Sequence, residues 1–180
     1  MSIPCNYSWK RNSQLLSEER EDTLRRALAI AGDHAHEFAT LEHLLLAMTE
    51  DPDALSVLTG CKVDVEQLRE MLQTHIDDEF AAIVNPSENL EVQPTSGFQR
   101  VVQRAIIHTQ SSGRGPATGA NILIAMYSER ESHAVWFLNS LNMGRLDAVS
   151  FVSHGNGEAV RGADDQTDKE GEDSAASADA

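Results

Sequence analysis

The sequence contains few of the residues that define several large classes of protein. Its 180 residues include only two cysteines, Cys5 and Cys61, and 14 lysines and arginines against 29 aspartates and glutamates. Cysteines so far apart form neither a CxxC metal motif nor a disulfide framework, which indicates a reducing compartment. The formal net charge of −15 argues against nucleic acid as a partner, because phosphate recognition requires a basic surface. It argues equally against docking on an anionic membrane.

Long apolar segments are also missing. No run approaches the roughly 20 residues that a membrane-spanning helix requires. Residues 1–14 contain no apolar segment of the kind found in a secretory signal. We therefore expect a cytoplasmic protein that neither enters a membrane nor binds nucleic acid.

Composition divides the chain into three zones. Residues 1–17 are polar and have no helical or strand period, so we predict a disordered N-terminal extension. Residues 156–180 carry eight acidic and two basic residues and no aromatic residue. Such a composition cannot bury enough apolar surface to fold, and it predicts a disordered acidic linker or tail. The predicted folded domain is the remainder, residues 18–155.

The folded zone has the pattern of an all-α domain. Apolar residues recur at helical spacing, as in the series Leu41, Leu44, Leu45 and Met48, and no long run alternates with period two. We therefore expect about eight helices and no strands. Several residues are expected to cap helices at their N-termini. These residues are Thr40, Thr118, Asp64 with Gln67, and Ser96 with Gln99.

The chain also matches itself at an offset of 78 residues. The segment TLEHLLLAM, which begins at Thr40, corresponds to TGANILIAM, which begins at Thr118. A gapless match with both capping threonines in register indicates two copies of a four-helix unit. The predicted fold is therefore an eight-helix bundle built of two pseudo-repeated four-helix motifs.

Two patterns that suggest chemistry fail on closer inspection. The segment GRGPATGAN at residues 113–121 lacks the Lys-Ser/Thr pair with which a phosphate loop contacts phosphate and magnesium. His34, His36 and His43 could present metal ligands together with Glu37 and Glu42, but they lack the one-face spacing of a zinc protease. We predict no catalytic residue, no cofactor and no metal site, and keep a small metal-binding or hydrolytic domain using the three histidines as an alternative.

Arginines form the more informative cluster. Arg100 and Arg104 are four residues apart and share one helical face, and Arg114 and Arg145 follow. In so acidic a domain, clustered guanidinium groups can bind the carboxylates of a partner. The pattern alone fits both a docking face and an ordinary solvated face.

Four segments resemble one family in order and spacing. They are HEFATLEHLLLAM, QPTSGFQRVVQRAIIHTQSSG, TGANILIAMYSERESHA and RLDAVSFVSHG. Together they look like the N-terminal (Clp repeat) domain of ClpA-type Clp ATPases, and the resemblance covers about residues 17–155. It implies an eight-helix bundle of two repeats, carried by a hexameric ATP-dependent unfoldase that feeds the protease ClpP.

The resemblance also implies partners and contact residues. The family domain binds the adaptor ClpS, which delivers protein substrates for degradation by ClpAP. By similarity, the residues that would contact a ClpS-like adaptor are Glu37, Glu42, Thr95, Arg100, Arg104 and Arg145. A mixed set of acids and arginines is typical of a polar interface that forms fast and releases readily.

The sequence departs from the family pattern at both ends. It contains no ATP-binding motif, and residues 1–14 lie outside the resemblance. The sequence is compatible with three origins, namely a fragment, a truncated gene and a natural free-standing domain. In the last case, the domain would sequester adaptor as a decoy and lower degradation of adaptor-delivered substrates.

Overall fold

The computed structural model describes residues 18–79 and 91–154, and the predicted extension and acidic tail lie outside them. The described residues form eight helices. In chain order these are α1 (Glu18–Asp33), α2 (Leu41–Met48), α3 (Pro52–Gly60), α4 (Val65–Glu79), α5 (Ser96–Ser112), α6 (Gly119–Met126), α7 (His133–Ser140) and α8 (Arg145–His154). None of the helices in these two ranges is long and apolar enough to cross a lipid bilayer.

The predicted duplication is confirmed by the backbone. The helices α5 and α6 begin 78 residues after α1 and α2. Each copy's first helix ends in the same left-handed turn, at Ala35 with φ 54° and at Gly113 with φ 64°. The amide that follows bonds back to a carbonyl five residues earlier, from His36 N to Ala31 O in one copy. This is a Schellman-type stop, and its recurrence at equivalent positions is what two copies of one unit predict.

The second helix of each copy lies at the centre of the domain. All eight residues of α2 are buried, and six of the eight in α6 are buried. The periodicity predicted one apolar face for α2, but neighbours cover it on every side, because it contacts α1, α4, α5, α6 and α7. Its polar residues Glu42 and His43 are therefore enclosed within the bundle.

The expectation of no strands is wrong in one place. A two-residue strand β1 (Phe38–Ala39) pairs in parallel with a two-residue strand β2 (Gln93–Pro94). Hydrogen bonds from Gln93 N to Glu37 O, at 2.9 Å, and from Thr95 N to Ala39 O, at 3.0 Å, join them. Two residues are too few to give an alternating pattern, and the pairing satisfies backbone groups that no helix takes up.

The predicted helix caps are mostly confirmed. Thr40 and Thr118 precede α2 and α6 as expected, and the Asp64 side chain accepts from Gln67 N at 3.0 Å. The expected cap at Ser96 is wrong, because Thr95 occupies that position and its Oγ1 accepts from Phe98 N at 3.3 Å. Thr95 is the residue that leaves the β1–β2 pair, so its extended backbone suits a capping residue.

Candidate functional site

Two arginines predicted to face a partner lie together on the surface. Arg104 of α5 and Arg145 of α8 line the same two cavities, of about 240 and about 600 Å³. Arg114 also lines the smaller cavity, and Arg130 also lines the larger one. Within residues 18–79 and 91–154, none of these four guanidinium groups forms an ion pair. The structure thus assembles four positive charges from distant parts of the chain.

Arg100 is held differently from Arg104. Its Nε and Nη2 donate to the two carboxylate oxygens of Glu129, at 3.0 and 2.8 Å, in the bidentate geometry that guanidinium favours. The hydrogen bond from Arg100 lowers the pKa of Glu129, and the charge of Arg104 lowers it further. Arg100 is thus held by Glu129, whereas Arg104 forms no ion pair within the described parts of the chain.

Glu37 and Thr95 flank the short β1–β2 pair. Glu37 is exposed, and its carbonyl oxygen is an acceptor in the pair. Thr95 caps α5, and a Cβ added at Gly97 in the first turn would lie 3.6 Å from Arg100 Nη2 and 3.7 Å from a carboxylate oxygen of Glu129. The β1–β2 pair thus leads along the start of α5 to the arginines.

Glu42 does not share that exposed setting. Its side chain is buried, and one carboxylate oxygen accepts a hydrogen bond from Ala134 N, at 3.1 Å, in the first turn of α7. The bond joins the first repeat to the second across 92 positions of sequence. Nothing in the sequence around Glu42 indicates this contact, because the partner is a backbone amide far along the chain.

The histidines that the sequence singled out do meet, with His34 stacked on His36 and His36 hydrogen-bonded to His43. Nε2 of His43 lies 3.0 Å from Nδ1 of His36, and Nδ1 of His43 accepts from Thr40 N at 3.0 Å. Burial lowers the pKa of His43 to about 3, and His36, His34 and His75 lower it as well. Both ring nitrogens of His43 are thus committed, so a metal at His34, His36 and His43 would have to break existing hydrogen bonds.

The fold and its repeat are those of a known class of helical domain, the N-terminal domains of Clp and Hsp104 ATPases. A family model described as the Clp repeat (R) N-terminal domain matches residues 15–141. The chain therefore belongs to the Clp repeat N-terminal domain family. It is 50% identical over 139 residues to a ClpA homolog protein from Fuscovulum blasticum, a match that spans 77% of this chain and 18% of that relative.

Solved structures agree on the fold at low sequence identity. The Hsp104 N-terminal domain from Candida albicans aligns with a TM-score of 0.64 at 13% identity, over 78% of this chain and 92% of that one. The N-terminal domain of the ClpV1 ATPase from E. coli aligns with a TM-score of 0.63 at 17% identity, over 81% and 90%. A ClpV N-domain in complex with a VipB peptide aligns with a TM-score of 0.61 at 14% identity, over 85% and 94%.

Proposed function

We propose that this domain is a non-catalytic docking module of a ClpA-type unfoldase–protease, and that it binds a ClpS-like adaptor and protein substrates. The observation that carries the proposal is the pair of arginines Arg104 and Arg145, which form no ion pair with any residue that the structure describes, on the surface of a chain with a net charge of −15. Neither guanidinium group forms an ion pair that would stabilise the described part of the fold. Carboxylates of a partner are its natural ligands.

The similarity to ClpV supports docking as the general role. That N-domain is seen with a bound VipB peptide, and the present chain has the same fold. The choice of a ClpS-like adaptor rests on the ClpA-like segments and on the 50% identity to a ClpA homolog. The hexamer and ClpP are proposed partners of the longer protein that such a domain would serve.

We propose a docking surface of five residues, Glu37, Thr95, Arg100, Arg104 and Arg145, running from the β1–β2 pair to the arginine cavities. Glu42 was predicted to contact the adaptor too, and it stays a prediction. Because its carboxylate binds Ala134 N inside the domain, substituting it would disturb α7 as well as any contact it makes. Glu42 is therefore a poor residue with which to test docking.

The test is calorimetric titration of the purified chain with its cognate ClpS-like adaptor at two salt concentrations. We expect one-to-one binding that weakens at high salt, because charges at the rim of an interface are screened beyond about 8–10 Å at physiological ionic strength. Arg104→Gln combined with Arg145→Gln removes two charges that have no ion-pair partner among the described residues, and it leaves the Arg100–Glu129 pair intact. We expect it to weaken binding at least tenfold.

The matched control is Arg25→Gln. Arg25 is an exposed arginine that pairs with Glu21 and Asp22 within α1 and lines neither arginine cavity. We expect it to leave affinity unchanged, with circular dichroism showing equal helicity in all variants. Equal affinity of the double variant and the control would refute this docking surface. An absence of binding by the folded parent chain would refute the proposal that the partner is a ClpS-like adaptor.

A further inference from the structure

Three potential metal ligands converge at a place that lies outside the five-residue docking surface. They are Glu42 of α2, His75 of α4 and His133 of α7. Each offers one ligand atom, and these atoms all lie within 4.8 Å of one another. The three helices pack together, so the cluster is fixed by the bundle and does not depend on a loop.

Glu42 is held in place for such a role. One of its carboxylate oxygens accepts from Ala134 N, and a carboxylate has a second oxygen that can bind elsewhere. A hydrogen bond of this kind orients a metal ligand and fixes its geometry. A buried carboxylate is also costly without a compensating charge, and a divalent cation between Glu42 and the imidazoles would supply that charge.

The two imidazoles of the cluster lie close together. The rings of His75 and His133 have centroids 4.4 Å apart. Burial and the neighbouring His133 lower the pKa of His75, with Glu42 opposing.

Beside the cluster lies an open cavity of about 780 Å³. His75 and His133 line it together with Asp78, Glu79 and Trp136. A metal bound by three protein ligands keeps one position free for water or for a further ligand. The cavity gives that position access to solvent and to a ligand atom of a bound molecule.

We propose that Glu42, His75 and His133 form a zinc-binding site whose fourth position opens into this cavity. Two imidazole nitrogens and one carboxylate oxygen are a donor set that Zn²⁺ accepts in tetrahedral geometry. Bonds of roughly 2.0–2.2 Å hold tetrahedral ligand atoms about 3.4 Å apart. The three ligand atoms, which lie within 4.8 Å of one another, would have to approach to that separation around a bound ion.

This site differs from the histidine cluster that the sequence suggested. It shares no histidine with His34, His36 and His43, and its own two histidines are 58 residues apart in the sequence. No spacing rule links residues so distant. Only the packing of α4 against α7 reveals the pair.

The experiment is titration of the full chain with ZnCl₂ by calorimetry, together with the visible spectrum of the Co²⁺-loaded chain. We expect one equivalent to bind and the Co²⁺ spectrum to show the strong bands of a tetrahedral ion. His133→Gln and His75→Gln should each weaken binding at least tenfold. Glu42→Gln keeps the acceptor for Ala134 N but removes the charge, and it should weaken binding as well.

The matched controls are His36→Gln, within the rival histidine cluster, and His108→Gln, on the exposed side of α5. We expect both to bind Zn²⁺ as the parent does. Loss of binding in His36→Gln with retention in His133→Gln would overturn the proposal, as would an absence of stoichiometric binding by the parent. His133 is exposed, so His133→Gln provides a folded variant even if the buried positions do not tolerate change.

Discussion

Arg20 of α1 and Asp51 at the start of α3 form an ion pair that is almost completely buried. Their exposed fractions are 2% and 1%. Asp51 also caps α3, because its Oδ1 accepts from Asp53 N at 3.0 Å and from Ala54 N at 3.1 Å. Its Oδ2 accepts from Thr23 Oγ1 at 2.8 Å. One carboxylate thus satisfies a helix terminus and a buried cation at the same time.

Removing that carboxylate should destabilise the domain strongly. Breaking a buried ion pair from one side costs about 3–5 kcal/mol, because the remaining charge is left buried without its partner. We expect Asp51→Ala to lower the free energy of unfolding by an amount in this range, measured by urea denaturation.

Asp53→Ala provides the comparison. Asp53 contacts the same guanidinium but is 45% exposed, so we expect a loss of about 1 kcal/mol or less, the usual value for an exposed pair. Equal losses for the two variants would mean that burial does not set the strength of this network.

A second prediction concerns Gly119, the first residue of α6. A Cβ at this position would overlap the carboxylate of Asp51, which cannot move without breaking its bonds to α1 and α3. Inserting a methyl group into such a site costs about 1–3 kcal/mol. We expect Gly119→Ala to lower the unfolding free energy by this amount.

The control for that substitution is Gly97→Ala. Gly97 also lies in the first turn of a helix, but the nearest atom to its added Cβ, Arg100 Nη2, is 3.6 Å away. Replacing a helical glycine by alanine without strain stabilises a helix by about 0.5–1 kcal/mol. Thermal unfolding should therefore shift in opposite directions for the two variants, and a shift of the same sign would contradict the steric argument.

The buried His43 predicts how stability depends on pH. Its pKa is lowered to about 3 in the folded state, against about 6.5 in an unfolded chain. Between these values the unfolded chain binds a proton that the folded chain does not. Stability is therefore fully present above about pH 6.5 and declines as the pH falls toward 3, by at most about 1.4 kcal/mol per pH unit for this group.

The second repeat suggests the variant that tests this. Asn121 occupies the position equivalent to His43, and its Oδ1 accepts from Thr118 N at 2.9 Å. His43→Asn should keep the cap on α2 and remove the titrating group. We expect the free energy of unfolding to fall by about 1 kcal/mol at pH 7.5, because the bond to His36 disappears. We also expect it to decline less steeply between pH 7 and pH 5.

His108→Asn on the exposed surface is the control and should leave the pH dependence of the unfolding free energy unchanged. An unchanged pH dependence in His43→Asn would exclude His43 as its source.

Glu129 predicts a gain in docking, under the proposal that Arg100 contacts a partner. Glu129→Gln releases the bidentate contact and leaves Arg100 available to carboxylates of the adaptor. We expect tighter adaptor binding in calorimetry and little change in unfolding, since surface ion pairs contribute little to stability. Weaker binding would instead mean that Glu129 orients Arg100 for its partner.

Local signals explain what could be predicted from the sequence. The helices, the duplication and the caps at Thr40 and Thr118 depend on residues within one turn of each other, so spacing and residue type suffice. The cap at Thr95 was missed because Ser96 is an equally good capping residue next to it. Thr95 becomes the cap because its amide pairs with Ala39 of β1, which holds its backbone extended. Ala39 is far from Thr95 in the sequence, so local signals do not indicate this contact.

Contacts between repeats explain what could not be predicted. The sequence places Glu42 just after the capping residue Thr40, near the start of α2, but its spacing cannot show that the side chain is buried. The periodicity of α2 reports how apolar each side is and not how many neighbours cover it. In the same way, the pairing of His75 with His133 depends on the packing of two helices that no sequence spacing connects.

The hydrogen bond from Ala134 N to Glu42 has a consequence for how the two copies can change over time. A side chain of the first copy satisfies the backbone of the second, and the carboxylate of Asp51 lies where a methyl group on Gly119 would lie. Removing or replacing either copy would leave a buried polar group of the other without its hydrogen-bond partner. The two copies share one fold, but at these contacts each copy now constrains which residues the other can accept.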